Sequence, residues 1–173
     1  MLNSFFEPLF STLCNQSGER LVQLMKSIHY GKAQILDNGF AWSAIGVLVV
    51  SALVAALYYF VINHPRFKAW WSWLIMLAIN AALSLCWGFF ALANRLDAIQ
   101  KMYPQKPFKK AVDGILKGVK TGGDFKKWTE TLNFSDYFDV AIGYMWWGVI
   151  CFLLISLIMM WFSSNAYRSP FRR

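Results

Sequence analysis

Residues 61–80 read "VINHPRFKAWWSWLIMLAIN". A short charged segment, Asn63 to Lys68, interrupts two long apolar runs, and three tryptophans follow within four positions. Pro65 lacks a backbone donor and disfavours helix at the residue before it, so the chain turns there. Arg66 and Lys68 suit a headgroup layer, and Trp70, Trp71 and Trp73 suit the re-entry point, with apolar rings and polar N–H tips. A soluble core has little use for this order of residues, whereas a membrane boundary uses each of them.

The composition agrees. Of 173 residues, 57% are hydrophobic and 15% charged, against about 25% charged in soluble domains. No charged residue occurs in 38–65, 69–94 or 140–167, stretches of 28, 26 and 28 residues with His64 taken as neutral. Each exceeds the ~20 residues that a helix needs to cross a bilayer. The expected fold is therefore all-α: an integral membrane protein with transmembrane helices at 41–62, 69–93 and 139–162 plus amphipathic interfacial or cytoplasmic helices. A globule of this length has no room to hide three such helices on every face.

Aromatic residues cluster at the expected span ends. Tyr58 and Tyr59 leave the first span at the level where Trp70, Trp71 and Trp73 enter the second, and Trp161 ends the third on the same side. Trp42, Trp146 and Trp147 fall toward the opposite boundary. Interface anchoring accounts for these positions better than a ligand cage does.

The charge count sets the expected orientation. Twelve basic residues, Arg20, Lys26, Lys32 and nine from Arg95 to Lys127, share one side with the N-terminal segment 1–40 and the connection 94–138. Five (Arg66, Lys68, Arg168, Arg172 and Arg173) lie on the other side, the last three in the basic tail 163–173. The positive-inside rule places the first side in the cytoplasm, in a plasma membrane of the bacterial inner-membrane kind. The opening "MLNSFFEPLFSTLCNQ" lacks a basic start and an uninterrupted apolar core, so the first span is expected to act as its own insertion signal.

Two segments outside the spans are amphipathic. In "SGERLVQLMKSIHY", Leu21, Leu24, Met25 and Ile28 fall on one helical face, with Ser17 as the expected N-cap. In "KPFKKAVDGILKGVK", Phe108, Val112, Ile115, Leu116 and Val119 share a face, and Lys109, Lys110, Lys117 and Lys120 lie largely opposite. That pattern fits a helix on anionic lipid headgroups or on a protein partner. It fits equally a small subdomain formed with the following turn, Phe125, Trp128 and Leu132. The net charge of +8 is spread around apolar runs instead of one basic face, so nucleic acid is not an expected partner.

Chemistry is sparse. "GILKGVKT" departs from a phosphate-binding loop, since Gly118 comes one residue early and Val119 separates it from Lys120. His29 and His64 fall on opposite sides of the expected membrane, so no metal site is expected, and no nucleophile has a nearby base. Cys86 and Cys151 sit in apolar runs as packing residues. Asp136 and Asp139 read as helix N-terminal acids more readily than as ion ligands. Catalysis and cofactors are not expected.

Within the spans, Asn80 is the one strongly polar group, readable as a helix-to-helix hydrogen bond or as a pore-lining amide. Small residues recur at four-residue steps: Ser51 and Ala55, Ala52 and Ala56, Ala78 and Ala82, Ser84 and Gly88. Such steps allow close helix approach. The expectation is a non-catalytic anchor or structural subunit of a larger assembly, with other subunits or copies of itself as partners. The alternative is a self-oligomerising pore or membrane-disrupting effector lined by Asn80 and Ser84.

The topology is tested with single cysteines. In a cysteine-free background, Lys110→Cys and Ser163→Cys should label from opposite sides of sealed vesicles. Labelling of both from one side rules out three spans.

Overall fold

The charge-free stretches fold into helices because a segment in lipid must satisfy its own backbone. A computed structural model of the protein describes residues 16–26, 28–30, 33–36, 39–61, 70–103, 105–116 and 125–162. In chain order these form α1 (Gln16–Met25), β1 (Ile28–Tyr30), β2 (Ala33–Leu36), α2 (Gly39–Ala56), α3 (Trp70–Met102), α4 (Lys106–Ile115), α5 (Phe125–Glu130) and α6 (Phe134–Phe162). Among the described residues the fold is all-α apart from the short antiparallel β1–β2 pair. Three stretches, Gly39–Phe60, Trp71–Met102 and Phe134–Met159, are long and apolar enough to cross a membrane.

Helix ends and span ends do not coincide. α3 continues to Met102, well past the expected boundary at 93. Arg95, Asp97 and Lys101 mark a change of solvent, yet all are acceptable in a helix. Asp97 and Lys101 form an i,i+4 ion pair at 2.6 Å on the exposed face. α6 begins at Phe134, five residues before the expected span start at 139. Its start is a reciprocal cap: the Asn133 N–H donates to the Asp136 carboxylate at 2.9 Å, and the Asp136 N–H donates to the Asn133 carbonyl at 3.0 Å. Asp136 thus caps the helix, as its position indicates. α2 closes in a π-helical turn, Leu57–Val61.

The chain divides into two compact units. The described residues of 1–43 and 88–143 form one, and those of 44–87 and 144–173 form the other. In the first unit, α1 begins at Gln16 and ends at Met25. Ser17 therefore lies inside the helix, not at its cap. Ile28 starts a strand instead of extending the helical face; β1 and β2 pair antiparallel, with Ile28 opposite Leu36, His29 opposite Gln34 and Tyr30 opposite Ala33. β-branched and aromatic residues favour this extended form. Leu21, Leu24, Met25 and Ile28 are nonetheless all buried, because helix and strand turn them to one core.

α4 packs on α1 and on β1. Pro107 lies in its first turn, where the missing donor costs no helical bond. Phe108, Val112 and Leu116 are wholly buried, as are Phe125 and Trp128 of α5. Tyr103, just after α3, ties these pieces together. Its hydroxyl donates to Asp113 at 2.9 Å and accepts the Phe125 N–H at 3.3 Å, and its ring packs 5.4 Å from that of Phe125.

Arg95 fixes α1 to α3. Its Nε donates to the Leu24 carbonyl at 3.0 Å and its Nη2 to the Lys26 carbonyl at 2.6 Å. The last carbonyls of a helix lack intrahelical donors and carry its negative dipole end, so a guanidinium is well matched to them. Arg95→Met should cost about 2 kcal/mol of local stability. Amide hydrogen exchange across Gln16–Lys26 is expected to speed up about thirtyfold on that basis, with α3 amides unchanged. Unchanged exchange in α1 would remove Arg95 from this role.

Candidate functional site

The chemistry available in the second unit is a polar node in an apolar interior. The side chains of Ser51 on α2 and of Asn80 and Ser84 on α3 are completely buried. Asn80 Nδ2 donates to the Gly148 carbonyl of α6 at 2.9 Å, and Ser51 Oγ donates to the same oxygen at 3.3 Å. One carbonyl thus gathers three helices. Each such bond in an apolar medium contributes about 0.6–2 kcal/mol. The Asn80 N–H thus serves helix packing, while its Oδ1 and the Ser84 hydroxyl are buried without a hydrogen-bond partner among the described residues.

Glycine makes this approach feasible. A Cβ on Gly148 would lie 2.0 Å from Ser84 Oγ and 2.5 Å from Ser84 Cβ. Rotating the serine relieves the first contact and not the second. Gly46 of α2 serves the same purpose, since a Cβ there would lie 2.2 Å from the Trp87 ring. Neither glycine belongs to a four-residue step with another small residue of the spans; the available signal was a lone glycine among large apolar neighbours.

Beyond the node, Val54, Ala55, Tyr58, Tyr59, Trp73, Met76 and Phe152 form a buried cluster. Tyr58 and Ser72 share a hydrogen bond at 3.1 Å, and the Trp73 and Phe152 rings lie 6.0 Å apart. Tyr58, Tyr59 and Trp73 therefore sit at the ends of their spans but face protein, correcting the expectation that they point to headgroups. The two faces of an aromatic-rich helix end look alike in sequence, and only packing distinguishes them. Trp42 and Trp71 do face outward, 71% and 61% exposed. Trp146 is also exposed, whereas Trp147 turns inward and donates to the Ala44 carbonyl at 3.3 Å. The side chains of Trp70 and Trp161 lie outside the described residues.

The small-residue steps separate in the same way. Ser51, Ala55, Ser84 and Gly88 are buried, Ala52 and Ala56 are half-buried, and Ala78 and Ala82 are exposed. On α4, Lys109 and Lys110 are exposed and Ile115 is half-buried, while Lys117, Val119 and Lys120 lie outside the described residues. The opening segment 1–15, residues 62–69 and the tail 163–173 are outside them too. Burial of Phe108, Val112 and Leu116 within the first unit leaves them unavailable to lipid in this packing. Among the described residues, no group of three or more His, Cys, Asp or Glu side chains is placed to hold a metal ion.

The node makes a ranked prediction. Asn80→Ala should lower the stability of the purified protein by about 0.6–2 kcal/mol. Gly148→Ala should cost more, because a Cβ-to-Cβ overlap forces the helices apart, and Ser84→Gly in that background should restore part of the loss. Unfolding midpoints in detergent decide the order. A Gly148→Ala protein as stable as the parent would contradict the close approach.

Comparison with protein-family models, with curated proteins and with solved structures finds no match to this chain.

Proposed function

We propose that the protein is a non-catalytic subunit that anchors or builds a larger membrane-associated assembly. The proposed setting is a plasma membrane of the bacterial inner-membrane kind, with the N-terminal segment and the 94–138 connection in the cytoplasm. The observation that carries this reading is the outward face of α3. Only 17% of its most apolar stretch is buried within the protein, against 39% for α2 and 33% for α6. That face presents Ala78, Ala82 and Cys86 at four-residue spacing, between the larger Ile75, Ile79 and Leu83, all exposed. Small side chains gain little from lipid tails, but they let another helix approach its backbone closely.

The alternative is a self-assembled pore lined by Asn80 and Ser84. Both are wholly buried at the Gly148 contact, where they serve packing within one chain. This weighs toward the subunit reading.

Gentle-detergent purification followed by mass measurement of the intact particle tests it. The expected result is a species heavier than the 19.9 kDa chain, containing different proteins or further copies. Ala78→Ile with Ala82→Ile should dissociate it about tenfold or more while leaving the unfolding midpoint of the chain unchanged, since both positions point away from the core. A single chain, recovered alone from native membranes, would refute the proposal. Ion flux through liposomes of purified protein would favour the pore instead.

A further inference from the structure

We propose that the exposed lysines of α4 and α5, Lys109, Lys110, Lys126 and Lys127, form a cationic surface that rests on anionic phospholipid headgroups by charge alone. This inference goes beyond the assembly reading and requires only that the chain spans a membrane.

Three observations carry it. First, the apolar side chains that would insert a basic amphipathic helix into lipid are occupied: Phe108, Val112, Leu116, Phe125 and Trp128 are buried within their own unit. What these helices offer outward is mainly charge. Second, the lysines are brought together at Tyr103. The Lys109 ammonium lies 5.5 Å above the Tyr103 ring. The same tyrosine accepts the Phe125 N–H and packs on the Phe125 ring, and Lys126 and Lys127 follow directly in the chain. Asp113 of α4 accepts the Tyr103 hydroxyl hydrogen. Asp97 is paired with Lys101, and Glu130 is the remaining exposed acid on α5.

Third, α3 ties the surface in sequence to a span. The charge-free stretch 69–94 of 26 residues would be about 39 Å long as a helix, against a hydrocarbon core of about 30 Å and about 40–45 Å with headgroups. Arg95 thus leaves the apolar layer, and Tyr103 lies eight residues on, about 12 Å further along the axis. That distance exceeds the Debye length of about 8 Å at physiological salt, so the attraction requires the lysine side chains themselves to reach the headgroups. A cationic surface tethered to a span meets its own membrane before any diffusing acidic partner.

The full-length protein is reconstituted in nanodiscs of phosphatidylcholine alone or of phosphatidylcholine with phosphatidylglycerol. Lysine acylation by a water-soluble reagent is followed by peptide mass spectrometry. Lys109, Lys110, Lys126 and Lys127 should react about fivefold more slowly with the anionic lipid, and the difference should vanish at high salt. A variant with all four changed to glutamine should stay in the disc with an unchanged unfolding midpoint. Its hydrogen exchange across 105–116 and 125–130 should no longer depend on the anionic lipid. Equal acylation rates in both discs overturn the proposal, as does slowing that persists at high salt, which would indicate insertion or a protein contact. A monomeric particle in the mass measurement sinks the assembly reading and leaves this one standing.

Discussion

The bond from Asn80 to the Gly148 carbonyl is the contact on which the second unit depends. In an apolar interior the bonding groups have no water to fall back on, so the Asn80 N–H bond fixes which faces of the helices meet. Ser51 adds a second donor to the same oxygen, and Ser84 fills the space that the absent Cβ of Gly148 leaves. Apolar side chains alone allow helices to slide or rotate, because one leucine contact resembles the next. A single shared carbonyl does not.

The first unit is organised by other means. It has an apolar core of its own, built from α1, β1 and α4 together with α5, and two polar residues position its parts. Arg95 holds the end of α1, and Tyr103 holds α4 and α5. Both sit on or just beyond the part of α3 that follows the charge-free stretch, where the medium changes and directional bonds to a backbone replace bulk apolarity as the source of order. The exposed stacking of Phe134 against Phe89, with ring centroids 5.5 Å apart, belongs to the same zone, in which aromatic residues tolerate both media.

The outward surface of the long helices follows from the inward one. Once α3 commits Ser72, Trp73, Met76, Asn80 and Ser84 to the interior, helical periodicity forces Trp71, Ile75, Ala78, Ile79, Ala82 and Leu83 to the other side. The small residues exposed there are therefore a consequence of where the amide points. The same periodicity leaves Lys109 and Lys110 of α4 outside when Phe108, Val112 and Leu116 go in.

The sequence by itself determined the three spanning helices, because apolar length and the spacing of charges do not depend on what packs against what. It determined Asp136 as a helix-capping acid, a local matter of three residues. It also determined that Asn80 is singular, though not which group its amide N–H would meet. Only the tertiary structure decided that, along with the inward turn of Tyr58, Tyr59 and Trp73, the strand at Ile28 and the burial of the α4 face. Each of these depends on contacts between residues far apart in the chain, such as Asn80 with Gly148 or Arg95 with Leu24. Amphipathic and aromatic patterns state that a face is apolar and leave open which apolar medium, lipid or protein, will cover it. The two media solvate a side chain alike, so the choice between them is made by shape and by the few hydrogen bonds that the fold can close.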